Sequence, residues 1–550
     1  VTLDFALAPQ TVEMGDVVVT ALGVERSARS VSSSVQQVQG DDLAQVENDN
    51  FINSLQGRVA GASIKSSSTM GGSSNIVLRG ISSLTGNNQP LIVIDGIPID
   101  NSTTSTSNGQ SEGSGGFDYG NAASIVNPNN VKSVSILKGP SAAALYGSRG
   151  SNGVIQITTK DGEGREGIGV SFSSGVQFSN AYEFMDYQNQ YGGGAPSSAF
   201  RTLDGDFSLS EQVNGQDDQL VADYATDESW GPRMDGREVR QWYSWDDVNG
   251  LLGQTTPWQA HPDNIESFLQ TGTRYSTDLS MAQGAETYNY RVNLSNINME
   301  GVMPYSQMDR YQFGFNGSVD LSEKLTATAV ARYTYDEARG RSGTGYGFAE
   351  NAFAQFNTFG QRQLDLGEDS YMRDYARPGR IQRGWNFAGI EGAQTGTFQY
   401  TDNPYVGRYE NYQSDDSQRL FGKVQINYDF QEDLGASFLV TTDHRTERRQ
   451  ERVAKISSEE SDFTEDILEV QEVNSEVKVD YATDLTESID FDGFAASRVR
   501  WETFERNFGS TAGGLASAQV YTLENSIGRP SVVDRFEQNA VYSGYGSANF

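Results

Sequence analysis

The stretch YNYRVNLSN, residues 288–296, alternates strictly between apolar and polar side chains. Its tyrosine, valine and leucine side chains fall on one face of an extended chain, and the asparagine, arginine and serine side chains fall on the other. The same period of two returns in YQFGF at 311–315, in LTATAVARYTY at 325–335 and in KVQINYDF at 423–430. These segments predict β-strands with one apolar and one polar face.

The connections between the predicted strands distinguish a membrane barrel from a soluble β-sandwich, which also alternates. Roughly ten strands are predicted after residue 167. Tight polar turns follow four strands, at residues 282–286, 320–325, 430–435 and 482–488. Long segments separate these hairpins, at residues 179–273, 337–416, 446–464 and 503–535. Since outer-membrane barrels keep short turns at the periplasmic end and long loops outside the cell, residues 163–550 are predicted to form part of such a barrel.

Composition argues against several classes of function. The chain has 550 residues and a net charge of -33, whereas phosphate binding needs an excess of Lys and Arg, so no nucleic-acid partner is expected. There is no cysteine, and the two histidines, His261 and His444, are far apart in the sequence. Paired acids such as Asp246 and Asp247 have no nucleophile or histidine beside them. The sequence therefore predicts no enzyme, no cofactor and no metal site.

Residues 41–162 follow a different pattern, with short apolar strands between small-residue helices and Gly-rich turns. The run PLIVIDGIPI is continuously apolar and suits a strand that is buried on both faces. This region is predicted to be a small α+β domain. Its predicted elements are, in order, a helix at 51–55, strands at 59–64, 75–80, 90–99 and 134–137, a helix at 141–146 and a strand at 154–158.

The run DVVVT favours an extended strand, but its surroundings are polar and the sequence offers it no obvious partner strand. We interpret it as an edge strand that pairs with the sheet of another protein, on a mobile tether that includes residues 25–39. The alternative is a buried strand of the α+β domain or of an upstream domain. Residues 1–10, VTLDFALAPQ, are typical of a closing strand of such a domain, and both ends of the chain are expected to be incomplete. The residues of the run are Asp16, Val17, Val18, Val19 and Thr20.

In their order and spacing, several segments resemble one family. DVVVTALG, LQGRVAGASI, NIVLRGISSL, PLIVIDGIPI, VKSVSILKGPSAAALYGSRGSNGVIQITTK and SWGPRMDG together are similar to the SusC/RagA group of TonB-dependent outer-membrane transporters, over nearly the whole chain. The resemblance implies a membrane β-barrel with 22 strands in the full-length family and an N-terminal α+β plug domain inside it. With about ten strands, this chain is expected to hold less than half of that barrel.

The resemblance also implies a division of the chain and a set of partners. Residues 1–10 would end a carboxypeptidase-regulatory-like β-sandwich, 11–40 would hold the TonB box and its tether, 41–162 the plug, and 163–550 the partial barrel with long extracellular loops. The implied partners are the C-terminal domain of TonB, a SusD-like surface lipoprotein, outer-membrane lipids, and an oligosaccharide or oligopeptide substrate. The implied location is the outer membrane of a Bacteroidetes-type Gram-negative bacterium.

Within the plug, Arg58, Arg79 and Arg149 stand among apolar or small residues. Pairing with carboxylates of the barrel wall would make them labile contacts that let the plug shift, whereas solvated surface arginines are the alternative. The sequence GSRG at 147–150 lacks the Lys-Ser of a phosphate loop, and its glycines are predicted to allow positive φ at a helix end. The other plug positions that the motifs single out are Gly80, Asp95, Gly96, Gly139, Gly147 and Gly150.

Aromatic residues cluster in the first long segment after the plug. Aromatic faces stack on sugar rings and on apolar side chains of peptides, so the cluster suits contact with a substrate or with the lipoprotein. The alternative is the small hydrophobic core that a long ordered loop needs. The candidates are Trp230, Trp242, Tyr243, Trp245 and Trp258.

The sequence thus predicts TonB-dependent import of a nutrient across the outer membrane together with a SusD-like lipoprotein. A siderophore or vitamin receptor of the TonB-dependent class, which works without a lid, is the nearest alternative. The long external segments and the SWGP motif favour the first reading over this one. A secreted β-rich adhesin or carbohydrate-binding protein is the alternative from a different class.

Overall fold

A computed structural model gives the architecture and describes residues 17–19, 25–27, 34–43, 48, 50–67, 69–84, 87–102, 115–138, 146–162, 167–196, 201–202, 219–246, 250–347, 349–486 and 489–549. Within this part of the chain, no helix is long and apolar enough to cross a membrane. The chain divides into two compact units. The first is drawn from Val1–Ser67, Gly71–Ser102 and Gly120–Gly162, and the second from Ser68–Met70, Thr103–Tyr119 and Glu163–Phe550.

The first unit combines short strands with turns of helix. Its elements are β1 (Val17–Val19), β2 (Glu25–Ser27), β3 (Ser34–Gln39), α1 (Gly40–Leu43), β4 (Ala62–Ser66), β5 (Ser74–Leu78), β6 (Leu91–Ile94), β7 (Ile97–Ile99), β8 (Val131–Lys138), β9 (Val154–Thr159), and 3-10 helices at Phe51–Leu55, Ala122–Ile125, Pro128–Asn130 and Gly147–Gly150. The main sheet has the order β3-β8-β9-β6-β7, in which β6 and β9 are parallel and the other neighbours antiparallel. The apolar segments of β6, β8 and β9 form its centre, and nearly all of their side chains are buried.

The run PLIVIDGIPI forms two strands, so its prediction as one continuous strand is wrong. Asp95 (φ 51°) and Gly96 (φ 83°) form a two-residue turn that pairs β6 antiparallel with β7. Positive φ at both central residues defines a type I′ hairpin turn, for which Asp-Gly is a preferred sequence. The Asp95 carboxylate accepts hydrogen bonds from the amide and the hydroxyl of Thr159, both at 2.8 Å. The apolar residues on both sides mask a turn that only the Asp-Gly pair signals.

Strand β1 has a partner within the chain, contrary to the interpretation of the sequence. Val17–Val19 pairs antiparallel with Glu25–Ser27, in a separate two-stranded sheet. The predicted tether is also structured in part, because Ser34–Gln39 pairs with β8 in the main sheet. Val35 explains this pairing, since its side chain packs against the buried core of that sheet. Polar neighbours therefore did not keep these segments free of pairing.

The second unit is dominated by long strands. Its elements are β10 (Gly169–Ser179), β11 (Arg201–Thr202), β12 (Leu220–Val221), β13 (Glu238–Val239), β14 (Thr256–Pro257), α2 (Asn264–Phe268), β15 (Gly272–Gly284), β16 (Tyr288–Glu300), β17 (Gln307–Ser322), β18 (Leu325–Arg339), α3 (Ala352–Phe359), β19 (Ala376–Arg377), β20 (Ile381–Gln382), α4 (Gly389–Thr395), α5 (Pro404–Tyr409), β21 (Ser414–Gln431), β22 (Leu434–Val453), β23 (Asp462–Thr486), β24 (Ile489–Ser510), β25 (Ser531–Asn549), and 3-10 helices at Trp242–Ser244 and Leu523–Asn525. Ten strands form one antiparallel sheet in the order β10-β15-β16-β17-β18-β21-β22-β23-β24-β25.

The connections of this sheet are sorted by length. Those at one end are short, at 285–287, 323–324, 432–433 and 487–488. Those at the other end, called here the loop end, are longer, at 180–271, 301–306, 340–413, 454–461 and 511–530. The predicted long segments 446–464 and 503–535 are wrong in extent, because the flanking strands continue through polar sequence. Polar side chains permit this continuation where cross-strand partners satisfy them.

The ten-stranded sheet exposes its apolar face and buries its polar face. In β16, Tyr288 and Leu294 are exposed, while Asn293 and Ser295 are buried. The interior of a water-soluble sandwich has the reverse arrangement. The alternation of YNYRVNLSN is confirmed, and the burial shows which of its faces is covered.

The long connections of the second unit share a hydrophobic core of their own. The connection 180–271 contributes β11 to β14 and α2, and the connection 340–413 contributes α3, α4 and α5. Buried side chains from both connections form one cluster, which includes Trp258, Phe268 and Phe356. The Phe268 ring meets the Phe356 ring edge-on, with 5.0 Å between the ring centroids. These loops are therefore packed against each other.

Candidate functional site

The buried face of the ten-stranded sheet carries ion pairs at hydrogen-bond distance. Arg310 Nε and Nη2 donate to Asp336 Oδ1 and Oδ2 at 2.7 and 2.8 Å, from directly opposed positions of β17 and β18. Arg419 Nε and Nη2 donate to Asp443 Oδ1 and Oδ2 at 2.8 and 2.5 Å. A buried charge is tolerated when it is paired and hydrogen-bonded, and the two-pronged geometry is the strongest form of such a pair.

This charged face was not predicted, although the sequence signals it. In TDHRTERRQERV, residues 442–453, every second residue from 443 to 451 is charged, so these charges share one face of β22 and their sign alternates along it. Because side chains two apart share a face of a strand, alternating signs let each charge find an opposite neighbour. The residues are Asp443, Arg445, Glu447, Arg449 and Glu451.

A segment at 115–119 belongs to the second unit and is anchored there by charged side chains. Tyr119 Oη donates to Glu451 Oε1 at 2.7 Å, and the Arg449 guanidinium carbon lies 4.3 Å from the centre of the Tyr119 ring. Burial, together with the adjacent Glu451 carboxylate, holds the pKa of the Tyr119 hydroxyl well above its usual value. Tyr119 therefore remains a hydrogen-bond donor at neutral pH. This anchor was not predicted from the sequence.

A second anchor reaches the segment Ser68–Met70 of the same unit. Arg341 Nε and Nη2 donate to Asp415 Oδ1 and Oδ2 at 2.8 and 3.0 Å. The remaining nitrogen, Nη1, donates to the Met70 carbonyl oxygen at 2.6 Å. One guanidinium group thus joins a strand end, a long connection and a segment that lies about one hundred residues before the first strand of the sheet.

The aromatic cluster of the first long connection is mostly a loop core. Trp242 and Trp245 are buried, and Trp258 is 0% exposed. The Trp245 indole donates to Tyr224 Oη at 3.0 Å, and the Arg240 guanidinium lies 3.8 Å from the centre of the Trp245 ring. The prediction that Trp242, Trp245 and Trp258 contact a substrate or a lipoprotein is therefore wrong, because their rings are buried in the packing of the loop.

Two candidates of the aromatic cluster remain at the surface. Trp230 is 55% exposed, and its ring lies 6.0 Å from that of Tyr191. Tyr243 is half-buried, and its ring lies 4.4 Å from that of Tyr371, which is itself exposed. Their role in binding stays a prediction, now confined to Trp230 and Tyr243.

Ion pairs between Asp246 and two buried arginines hold the two long connections together. Arg383 Nε and Nη2 donate to Asp246 Oδ2 and Oδ1, both at 2.9 Å, and Arg383 Nη1 lies 2.6 Å from Asp374 Oδ2. Arg377 Nε approaches the same Asp246 carboxylate at 3.1 Å. Asp246, which the sequence offers only as a solvated loop charge, is thus a junction between the connections.

Glu350, in the connection 340–413, has an altered proton affinity. Burial, reinforced by the carboxylates of Glu451, Glu459 and Asp402, raises the pKa of Glu350 to about 7. Because the folded pKa is the higher one, Glu350 favours the folded loop at acid pH, and this contribution disappears as the pH rises from about 4.5 to about 7.

Within the described residues, no group of three or more His, Asp or Glu side chains is placed to hold a metal ion.

The plug arginines fall in different environments. Arg58 and Arg79 are exposed, and Arg149 is half-buried in the 3-10 helix Gly147–Gly150. Exposure of the first two is what solvated surface arginines show. Arg79 has φ 61° and its amide donates to the Gly61 carbonyl at 2.8 Å, so its backbone has a defined structural role. Gating by these arginines stays a prediction.

The other plug positions serve backbone geometry where they are described. Gly80 (φ 110°) and Gly147 (φ 66°) take conformations that favour glycine, as Gly96 does in its hairpin turn. The prediction of positive φ at Gly150 is wrong, because the nearby glycine with positive φ is Gly153 (φ 96°). Asp16, Thr20, Gly139 and most of the helix predicted at 141–146 lie outside the described residues.

Comparison with known proteins accords with this architecture. Residues 27–154 match the family described as TonB-dependent Receptor Plug Domain. The TonB-dependent receptor SusC of Bacteroides thetaiotaomicron is 38% identical over 185 residues, which are 34% of this chain and 17% of that protein. A TonB-dependent receptor of Formosa agariphila is 28% identical over 349 residues, 61% of this chain and 28% of that protein.

Among solved structures, the RagAB peptide importer in its closed-closed state shares the fold. The TM-score is 0.63 at 18% identity, and the match covers 94% of this chain and 53% of that chain. This chain therefore spans about half of the solved importer chain and less than a third of the length of the curated relatives above. The matches support a receptor type rather than a particular cargo.

Proposed function

The chain carries a TonB-dependent receptor plug domain and is of the SusC/RagA type, and from this premise we propose that the full-length protein actively imports a nutrient across the outer membrane. The observation that carries the proposal is the ten-stranded sheet, which exposes apolar side chains and buries paired charges. A wall between lipid and a polar interior needs this arrangement. The strands would form the first part of a larger barrel, with the loop end outside the cell.

The cargo would be an oligosaccharide or an oligopeptide, bound between the loops and a SusD-like lipoprotein. The packed core of the long connections supports this, because it offers a preformed surface on which Trp230 and Tyr243 remain accessible. The solved importer is named for peptides, and its relationship to this chain leaves the cargo open. The relatives reported above are named as receptors and importers rather than as enzymes, which favours transport without chemistry.

Energy would enter through residues 16–20. Among the described residues, β1 pairs only with β2, and its other edge would accept a strand of the TonB C-terminal domain through main-chain hydrogen bonds. Two strands of three residues each are too few for a stable sheet, so the pairing with β2 opposes such an exchange only weakly. Traction on this strand would remodel the plug and open a path.

Deletion of residues 16–20 from the full-length transporter tests the mechanism. Energised uptake should fall to background while cargo binding to whole cells stays unchanged. Val18→Pro should act like the deletion, because proline removes the amide that an edge strand donates, and the matched Val18→Ile variant should transport normally. Uptake at the wild-type rate by the deletion variant would exclude this route of coupling.

A further inference from the structure

A polar cavity of about 500 Å³ opens on the exposed face of the ten-stranded sheet, at the loop end of β17, β18, β21 and β22. Three of its carboxylates form a row across the sheet, since Asp309 is directly opposite Glu337 and Glu337 is directly opposite Asp416. Like charges in opposed positions destabilise a sheet unless a third group lies between them. The chain supplies some donors, because Asn298 Nδ2 donates to Asp309 Oδ1 at 2.5 Å, Tyr335 Oη lies 3.5 Å from Glu337 Oε2, and Arg448 is directly opposite Asp416. Each carboxylate can accept about four hydrogen bonds, so the row can still accept from donors outside the chain.

A second row lies two residues further toward the loop end, about 7 Å away along the strands. It places Arg339 opposite Ser414, and Ser414 opposite Gln450. Arg452 joins this row, because its Nη2 donates to Ser414 Oγ at 3.1 Å and to Gln450 Oε1 at 2.9 Å. Arg339 lies with its guanidinium carbon 4.6 Å from the centre of the Tyr305 ring. The contacts named here fix both guanidinium groups in place through uncharged partners. Their positive charge can therefore attract an anion to the cavity.

An apolar groove of about 360 Å³ continues the cavity on the same face, away from the loop end. Its lining includes the exposed side chains of Leu279, Leu294 and Phe313. Tyr311 lines the groove and Tyr335 lines the cavity, and the two rings stack at 6.4 Å from directly opposed positions. Going from the groove toward the loop end, the surface is first apolar, then carries the row of carboxylates, and then carries the two guanidinium groups.

We propose that this surface binds one lipid of defined chemistry, an acylated and phosphorylated sugar. The acyl chains would occupy the groove, hydroxyl and amide groups of the sugar would donate to the carboxylate row, and a phosphate on the sugar would accept from Arg339 and Arg452. A glycerophospholipid fits the order less well, because its phosphate follows the glycerol directly and would meet the carboxylate row. The inference shares with the proposed function only the premise that this face meets lipid.

Native mass spectrometry of the full-length protein in detergent tests the proposal, with lipid A as the sugar-phosphate probe and dipalmitoylphosphatidylethanolamine as the competitor. The wild type should retain lipid A at least about tenfold more tightly than the phospholipid, as expected for a few charge-assisted hydrogen bonds. The Arg339→Gln/Arg452→Gln and Glu337→Gln/Asp416→Asn variants should each lose about tenfold for lipid A and little for the phospholipid.

The matched control is Asp534→Asn. Asp534 is exposed and lies in the same cross-strand row as Asp416, since the pairs Asp416↔Arg448, Arg448↔Ile467, Ile467↔Asn507 and Asn507↔Asp534 follow one another. Its strand, β25, is three strands beyond β22, the last strand that lines the cavity. The control should bind lipid A as the wild type does. Equal retention of both lipids by the wild type, or an equal loss in the control, would overturn the proposal. The readout is lipid retention, so a failure of energised uptake leaves this result unaffected.

Discussion

At the scale of the residue, exposure separates the tryptophans of the first long connection into two kinds. Trp258 is 0% exposed, whereas Trp230 is 55% exposed. A Cβ at Gly192 would lie 2.4 Å from the Trp258 ring, so the indole fills a space that only glycine leaves open. The same residue type in the same segment therefore serves packing at one position and offers a surface at the other.

Trp258→Ala should destabilise the loop core by about 3–5 kcal/mol, the usual cost of deleting a buried aromatic side chain. The control Trp230→Ala should change stability by no more than about 0.5 kcal/mol. Hydrogen exchange of residues 219–272 in the full-length protein measures both. Equal protection in the two variants would contradict the assignment of Trp258 to the core. Weaker cargo or lipoprotein binding by Trp230→Ala alone would place Trp230 at the contact surface.

Sequence patterns were informative about residues in strands and less so about residues in loops. The period of two located the faces of β16 because side-chain direction in a strand follows from local geometry. The burial of Trp242 and the junction at Asp246 depend on a second connection, 340–413, that packs against the first. No local pattern near Asp246 reports a partner such as Arg383, which is more than a hundred residues away.

At the scale of the element, the buried ion pairs determine where the long strands end. Strands β22 and β23 pair from Leu434↔Tyr481 to Val453↔Asp462, well past the apolar part of β22. The predicted long segment 446–464 would have ended this strand before most of its charged residues. The charged side chains continue it because acids on the buried face are paired with arginines, as Asp443 is with Arg419 and Glu447 is with Arg449.

Removing one member of the Arg419–Asp443 pair should be far more costly than replacing both. Arg419→Ala leaves the Asp443 carboxylate buried and unpaired, so a loss of about 3–5 kcal/mol is expected. The double variant Arg419→Leu/Asp443→Leu should be close to neutral. Arg448→Ala, in the exposed pair with Glu465, is the matched control and should cost at most about 1 kcal/mol. Thermal unfolding of the full-length protein in detergent measures all three, and an equal loss in Arg419→Ala and Arg448→Ala would refute the distinction.

At the scale of the whole molecule, the order of the long strands was predictable and the pairing of the short strands was not. The alternation after residue 167 led to roughly ten strands, and the sheet contains ten within the described residues. The same approach left β1 without a partner and treated β6 and β7 as one strand. Strand pairing depends on contacts that are distant in sequence, and short strands carry too few residues to specify them.

Purification under mild detergent should distinguish the proposed importer from a receptor that works without a lid. We expect the full-length protein to carry a surface lipoprotein in about equal amount, because loops packed into one core present a continuous docking surface. The measurement is the subunit ratio after purification from native membranes, before and after a high-salt wash. A transporter that purifies alone and keeps full uptake without any lipoprotein would favour a siderophore or vitamin receptor.

The loop core also makes the two units distinct in their ultraviolet emission. Four of the six tryptophans, Trp242, Trp245, Trp258 and Trp385, are buried together in that core, and residues 1–162 contain none. Buried indoles emit at shorter wavelengths than hydrated ones, so the blue side of the fluorescence spectrum reports the packing of the long connections. Within this chain, a rearrangement confined to residues 1–162 moves no tryptophan, so a change in the emission of these four buried indoles reports the loops.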